Sequence, residues 1–235
     1  MEAFSRRQYE PDPHYRHRFP AELIAHAVLL YLTFPRSFRD VELLLAERGI
    51  EVSCETVRRW CRKVAQTFAN RLRRLRPRPG DRWHLDEVFI KIDGVQHHHW
   101  RAVDHEGVVL DILVQSRRNT KAAKRFFKKL LKGLRYVPRV AVTDTLTSYA
   151  AAKAKIIPAV EHRQSRYLNN RAENSHQPTQ LCERRMKRFK SSRRALQFLS
   201  AHGPIHQHCH LRRHLMTAAE YRAYRTDALV IWQQD

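Results

Sequence analysis

The sequence predicts an α/β protein in which a mixed β-sheet with flanking helices follows an all-helical domain. Apolar residues recur at helical spacing from residue 20 to residue 76. From residue 82 the pattern changes to short runs rich in β-branched and aromatic residues, which are typical of strands. Strands and helices then follow in the order β-β-β-α-β-α-β-α, which favours a sheet covered by helices. A chain of 235 residues is long enough for one larger domain and one smaller domain.

The helical region is predicted to contain three helices. The first begins at Pro20, a residue suited to a first turn, and ends at Pro35. Ser37 opens the second in a Ser-x-x-Asp pattern, and Gly49 ends it. Ser53 opens the third. Two helices, a turn and a basic helix are typical of a helix-turn-helix domain, in which the last helix presents its early residues to a DNA groove.

Basic residues continue beyond the start of the third helix, with nine Lys and Arg and no acid between Arg58 and Arg78. An ordinary helical subdomain with a solvated basic face is the alternative to DNA binding. A second basic segment, Arg184 to Arg213, favours phosphate contact in a chain of this charge. The predicted DNA-binding residues are Ser53, Thr56, Arg58, Arg59, Arg62, Lys63, Arg71, Arg73, Arg74, Arg184, Arg185, Lys187 and Arg188.

The net charge narrows the expected partners. The chain has 45 Lys and Arg residues against 23 acidic residues, a formal charge of +22. Such a chain repels itself unless it meets a polyanion, so nucleic acid is the leading partner and an anionic membrane surface is second. The longest apolar run, Leu23 to Phe34, is shorter than the roughly 20 residues of a spanning helix, and no signal segment is visible in Met1 to Arg18. We therefore expect a cytoplasmic, nucleoid-associated protein with no membrane partner.

The predicted sheet region begins with a three-stranded meander and continues with alternating helices and strands. Asp93-Gly94 is a hairpin signal after the first strand. The predicted strands are Arg82 to Ile92, Gln96 to Val103, Val108 to Gln115, Arg139 to Thr143 and Val160 to His162. The predicted helices are Lys121 to Lys132, ended by Gly133, then about 146–155, then a basic tract from Asn169 to about Lys190.

Proline and glycine residues also suggest domain boundaries. Pro77, Pro79 and Gly80 indicate a linker between the helical region and the first strand. The predicted domains are a flexible arm (1–18), a helix-turn-helix DNA-binding domain (19–76), a linker (77–81), a catalytic core (82–192) and a basic helical C-terminal segment (193–235).

Cysteine and histidine spacing does not favour a zinc site. The four cysteines form no C-x-x-C pair. His202, His206 and His210 have i, i+4 spacing, but Gly203-Pro204 is expected to interrupt the helix between the first two. A polar or DNA-facing helical surface is therefore favoured over zinc.

Three carboxylates are candidate metal ligands. Asp86 lies within a strand, Asp144 follows the end of another, and Glu173 lies near the start of a helix. Three such acids can hold two divalent ions that promote in-line displacement at phosphorus. Spacing alone does not select them. The competing acids are Glu87, predicted to point to the opposite face from Asp86, and Asp93, Asp104, Asp111 and Glu161.

Four runs resemble the DDE transposases of bacterial insertion sequences, most closely insertion-sequence family six. They are Trp83 to Gly94, Arg101 to Asp104, Thr143-Asp144 and Val160 to His176. The resemblance extends over nearly the whole chain and implies a ribonuclease-H-like core behind a helix-turn-helix domain. It places the catalytic and metal-binding triad on Asp86, Asp144 and Glu173.

The resemblance also implies an activity and its partners. A protein of this family nicks transposon ends and transfers the 3′-OH to target DNA, using two Mg²⁺ ions per active site, for which Mn²⁺ can substitute. The implied partners are double-stranded DNA, at transposon ends and target, and further copies in a homodimer or larger assembly. No small-molecule substrate is implied.

Two positions depart from the family pattern. Members commonly carry a basic residue directly after the second aspartate and Lys or Arg seven positions after the glutamate; here these are Thr145 and Gln180. The alternatives are a non-catalytic DNA-binding protein, either a repressor or a decayed transposase, and a nuclease that cleaves without joining.

Overall fold

A computed structural model describes residues 18–76, 78–165, 167–186, 188–210 and 216–233. The predicted flexible arm therefore lies outside the described residues, except for Arg18. The helices are α1 (Ala21–Thr33), α2 (Phe38–Ala46), α3 (Cys54–Leu75), α4 (Thr120–Leu134), α5 (Thr147–Ile156), α6 (Asn170–Arg185), α7 (Ser192–Cys209) and α8 (Ala218–Gln233). The strands are β1 (Arg82–Ile92), β2 (Val95–Asp104), β3 (Val109–Gln115), β4 (Val140–Thr143) and β5 (Glu161–Gln164).

Helices α1 to α3 begin where the sequence predicts. Ser37 caps α2 in a reciprocal pair: the Asp40 backbone N–H donates to Ser37 Oγ at 3.1 Å, and the Ser37 N–H donates to Asp40 Oδ2 at 2.8 Å. The Ser53 side chain accepts from the Thr56 N–H at the start of α3. Gly49 adopts a φ of 74° in the turn between these helices, a conformation that glycine takes without steric cost.

The C-terminal helices α7 and α8 pack into the core of the N-terminal helices. Ala201, Ile205 and Trp232 are buried in one cluster with residues of α1, α2 and α3. The Trp232 indole N–H donates to the Ala25 carbonyl at 3.2 Å. Among the described residues, the segment predicted from 193 onward therefore completes the helical core.

The five strands form one mixed sheet in the order β3-β2-β1-β4-β5. Strands β1, β2 and β3 are antiparallel neighbours, and β4 and β5 run parallel to β1. This is the ribonuclease-H-like arrangement. The predicted hairpin is confirmed, because Asp93 and Gly94 have φ values of 50° and 76°, as a two-residue turn of the I′ type needs.

Successive side chains of β1 and β2 point to opposite faces of the sheet, and different helices cover the two faces. Trp83 and Trp100 are fully buried against α4 and α5. Ile90 and Val103, on the opposite face, pack with residues of α6 and α7. Within the described ranges, no helix is long and apolar enough to cross a membrane.

Three predicted helix boundaries were wrong. Helix α4 passes Gly133 and ends at Leu134, because Arg135 takes the left-handed conformation that closes it, with a φ of 50°. The basic tract predicted to continue to Lys190 stops at Arg185, and Phe189 forms a bridge with Ile92 of β1.

The third error is the expected interruption at Gly203-Pro204, because α7 continues through Pro204. Helix α6 likewise continues through Pro178. Pro204 lacks the N–H that would bond the Ser200 carbonyl, and the Arg73 guanidinium donates to that carbonyl instead. Arg73, predicted to contact DNA, is thus engaged with α7.

Candidate active site

The first two predicted ligands lie side by side because β1 extends beyond its parallel neighbour. The register pairs Leu85 with Thr143, where β4 ends. Asp86 and Asp144 each follow those partners directly, at the C-terminal edge of the parallel pair, where such sheets commonly place functional groups. One oxygen from each of Asp86, Glu87 and Asp144 lies within 4.8 Å of the others.

Asp86 lies in an environment that opposes its negative charge. The residue is only 7% exposed, and its Oδ2 is 3.6 Å from His176 Nε2. Burial, followed by the charges of Glu87, Asp144 and Glu173, raises the pKa of Asp86 to about 7. Burial lowers the pKa of His176 well below its usual value, so this neighbour is neutral and does not compensate the carboxylate. A divalent cation would supply the missing positive charge.

Glu87 belongs to the same acidic group, although the sequence predicted that it points away. The two side chains do lie on opposite faces, because Asp86 meets His176 of α6 whereas the charge of Glu87 acts on Tyr149 of α5. Their carboxylates nevertheless meet, since neither is covered by β4, which has already ended. The signal that could have found Glu87 is the pair of adjacent acids at the end of a strand.

Arg118 connects two of these carboxylates. Its Nη2 lies 2.5 Å from Glu87 Oε1 and 3.3 Å from Asp144 Oδ2. The Glu87 side chain is only 1% exposed, so its ion pair is shielded from water on the carboxylate side. Burial raises the pKa of Glu87, and Arg118 acts in the opposite direction. Sequence reasoning missed Arg118, which lies in the loop between β3 and α4.

Glu173, the third predicted ligand, approaches from α6. It lies in the first turn of that helix and is exposed, outside the close group of three. Its charge is nevertheless among those that raise the pKa of Asp86, so it lies near that carboxylate. The Asn169 side-chain amide fixes the start of α6 by donating to the Leu85 carbonyl at 2.9 Å, next to Asp86.

The remaining candidate acids have structural partners. Asp104 Oδ1 accepts from the Glu106 and Val108 backbone N–H groups and so caps its own turn. Asp111 pairs with Lys129 at 2.7 Å. Glu161 pairs with Arg163, and Asp93 occupies the hairpin turn.

Three histidines lie on one face of α7 and its C-terminal cap, because the helix continues through Pro204. The expected interruption at Gly203-Pro204 was wrong. His202, His206 and His210 stack, with ring centroids 5.2 Å and 4.0 Å apart. In the part of the chain that the structure describes, however, the only group with metal-ligand geometry is that of Asp86, Glu87 and Asp144.

Four of the predicted DNA-binding residues, Arg58, Arg62, Arg185 and Arg188, line one basic groove between α2, α3 and the α6–α7 connection. Its volume is about 590 Å³. Thr56 accepts from Arg59 on the exposed start of α3, and Arg58 pairs with Glu55 at 2.7 Å. Lys187 lies outside the described residues. The basic residues that line the groove are Arg39, Arg58, Arg62, Arg185, Arg188, Lys190 and Arg194.

Gln180, one of the two positions that depart from the family pattern, also has basic neighbours. It lines a second opening, of about 640 Å³, together with Lys91, Arg184 and Arg188. Thr145, directly after Asp144, is exposed. Basic residues from other positions therefore lie near both places: Arg118 contacts Asp144, the residue before Thr145, and Arg184 lines the opening beside Gln180.

Comparisons with known proteins identify the family of this chain. Residues 80–212, more than half of the chain, match the DDE domain family DDE_Tnp_IS240. The transposase for insertion sequence-like element IS431mec of Staphylococcus aureus (strain Mu50 / ATCC 700699) is 32% identical over 184 residues, 76% of this chain and 82% of the relative. The transposase for insertion sequence element IS257 in transposon Tn4003 of Staphylococcus aureus has the same identity and coverage.

Among solved structures, the HTLV-2 integrase catalytic core domain in complex with magnesium, in its trimeric form, aligns with a TM-score of 0.40 and 10% identity. That alignment covers 60% of this chain and 91% of the integrase chain. The sequence matches, by their extent, establish the family. The chain belongs to the DDE transposases of insertion-sequence family six and is a DDE-type polynucleotidyl transferase.

Proposed function

We propose that this transposase binds the terminal inverted repeats of its element, nicks one strand at each end, and transfers the 3′-OH to target DNA. The observation that carries the proposal is the convergence of Asp86, Glu87 and Asp144 within 4.8 Å, with Glu173 near the Asp86 carboxylate. A basic groove beside this core supplies the charge that a DNA backbone requires.

Carboxylate oxygens suit a hard divalent ion, and the raised pKa of Asp86 indicates that the cluster lacks positive charge. Two Mg²⁺ or Mn²⁺ ions bound there would activate the attacking oxygen and stabilise the leaving oxygen at phosphorus. In the proposed assignment Asp86 and Asp144 would hold one ion together, and Glu173 would complete the second site.

Arg118 has two roles in the proposal. In the metal-free protein its guanidinium contacts both Glu87 and Asp144 and offsets part of their charge. With a metal ion at these carboxylates, the guanidinium, whose side chain is 35% exposed, would be available to a DNA phosphate. It thereby supplies the cation that the family commonly carries directly after the second aspartate, where this chain has Thr145.

DNA recognition is assigned to the basic groove and to the start of α3. Ser53 and Thr56 would approach the groove of the terminal repeat, and Arg58 and Arg62 would contact its backbone together with Arg185. The predicted helix-turn-helix domain and catalytic core share this groove. Two element ends require two active sites, so a homodimer or larger assembly forms on DNA, and the expected location is the bacterial nucleoid.

The proposal is tested by strand cleavage and joining of a duplex that carries an element end, with Mg²⁺ or Mn²⁺. Asp86→Asn, Asp144→Asn and Glu173→Gln are each expected to abolish both steps while leaving duplex binding in EDTA intact. Asp93→Asn, on the exposed hairpin turn, is the matched control and should retain activity. Full activity in all three variants would show that Asp86, Asp144 and Glu173 are not the catalytic residues.

The alternative is a non-catalytic DNA-binding protein on the same scaffold, which Thr145 and Gln180 favour. It would bind the duplex without cleavage in either metal. A nuclease would be recognised by cleavage with no joined product.

A further inference from the structure

A further polar cavity lies between the β2–β3 turn, α6 and α7. Its volume is about 670 Å³. Three buried polar side chains line it: Arg101 of β2, Thr179 of α6 and His202 of α7, which are 2%, 2% and 1% exposed. Among the described lining residues Glu106 is the only acid, and it is exposed. The other basic lining residues are Arg171, His206 and His210.

Arg101 is a buried cation without a carboxylate partner among the described residues. Its guanidinium donates to the Ser175 carbonyl and, at 2.6 Å, to Thr179 Oγ1. Its Nε has no partner. A guanidinium buried in this way is unfavourable unless an anion compensates it, and oxyanions match its planar set of donors.

The stacked histidines add donors on the opposite wall. His202 contacts Cys182 Sγ through Nε2 at 3.4 Å, and its Nδ1 has no partner. The rings of His206 and His210 lie almost parallel, 5° apart. A neutral imidazole offers one N–H to an anion without bringing a charge that repels Arg101.

The cavity is built by contacts that do not involve the carboxylate cluster. The Gln207 side chain donates to the Gly107 carbonyl at 2.6 Å and accepts from the Val109 N–H at 2.9 Å, which fixes α7 against the β2–β3 turn. The exposed Arg171 of α6 donates to the His105 carbonyl of the same turn. The walls are therefore held in place from both sides.

We propose that this cavity is a phosphate-binding site and that, in the transposase, its occupant is a backbone phosphate of bound DNA. The observations behind it are an uncompensated buried guanidinium, an unpartnered imidazole nitrogen and a lining whose charged side chains are two arginines and one exposed acid. The assignment of that phosphate to DNA rests on the proposed function, whereas phosphate binding by the cavity does not.

The first test measures phosphate binding to the full chain by thermal unfolding in EDTA, with inorganic phosphate exchanged for chloride at constant ionic strength. Arg171→Gln and His206→Gln should each raise the half-saturating phosphate concentration about tenfold, which is the effect of losing one charge-assisted hydrogen bond. Arg222→Gln, an exposed arginine of α8, is the control and should respond as the wild type does. Equal phosphate responses in all four proteins would overturn the site.

The second test distinguishes the source of the phosphate. A short duplex is titrated in EDTA at several salt concentrations. If DNA fills the cavity, duplex binding removes the phosphate response, and Arg171→Gln reduces the slope of log affinity against log salt by about one. Phosphate binding that persists in the DNA complex would overturn the DNA source. Because no metal is present, neither result depends on cleavage or on Asp86.

Discussion

Replacing Asp86 with Asn should change how the stability of the metal-free protein depends on pH. The unfolded chain has an aspartate pKa of about 3.9, whereas burial and neighbouring charges raise the folded pKa to about 7. Between these values the folded state holds a proton that the unfolded state has released. Stability therefore falls as the pH rises through this window, and the loss is complete above the folded pKa.

The magnitude follows from the interval over which Asp86 titrates in the folded protein. Between pH 5 and the folded pKa of about 7 lie about two pH units, each worth 1.36 kcal/mol, so the group costs about 3 kcal/mol of stability between pH 5 and pH 8. The Asp86→Asn variant, which cannot ionise there, should lack this loss. The difference in stability between the variant and the wild type should therefore favour the variant more strongly at pH 8 than at pH 5.

Urea unfolding in EDTA at pH 5 and pH 8 gives the free energy of unfolding of each protein by linear extrapolation, and so measures how much stability each one loses between the two pH values. Asp93→Asn controls for removing an acid from this strongly basic chain. If the wild type and Asp86→Asn lose the same stability between pH 5 and pH 8, the raised pKa of Asp86 and its electrostatic explanation are both refuted.

Three further predictions concern other parts of the molecule. Arg118→Gln should increase Mg²⁺ affinity about fivefold, as measured by calorimetry, because it removes a partly screened cation that competes for Asp144; unchanged affinity would show that Arg118 does not compete. Trp232→Ala should destabilise the protein by about 3–5 kcal/mol in urea unfolding, since the indole fills the helical core, whereas Trp232→Phe should cost less. Arg62→Gln should lower the salt slope of duplex binding by about one without altering the Mg²⁺ affinity.

Local features of the fold could be predicted from the sequence. The Ser37–Asp40 capping pair and the Asp93-Gly94 turn each depend on a few adjacent residues, so their signals are visible in a short stretch. The packing of Trp232 against α1 joins residues 207 positions apart, and nothing local records such a contact. For the same reason the predicted C-terminal segment did not reveal that it completes the N-terminal core.

The candidate site shows the same division between local and distant information. The strand-end position of Asp144 was visible in the sequence, and the resemblance to the family selected Asp86 and Glu173. Alternation placed Glu87 on the opposite face of β1, which is correct for the backbone. It failed to predict that both carboxylates extend past the end of β4, because the length of β4 relative to β1 depends on the register between distant strands.

Arg118 changes what the departures at Thr145 and Gln180 imply. If the site had decayed through loss of basic groups, adding one with Thr145→Lys should restore activity. The structure instead shows Asp144 already paired with Arg118, and Gln180 beside Arg184. A lysine after Asp144 would then bring a second cation to a carboxylate that has one, and it should lower the Mg²⁺ affinity and strand transfer. If Thr145→Lys gains activity, both alone and combined with Arg118→Gln, the site has decayed. If Thr145→Lys loses activity and adding Arg118→Gln restores it, Arg118 has taken over the role of the basic residue that the family commonly carries after the second aspartate.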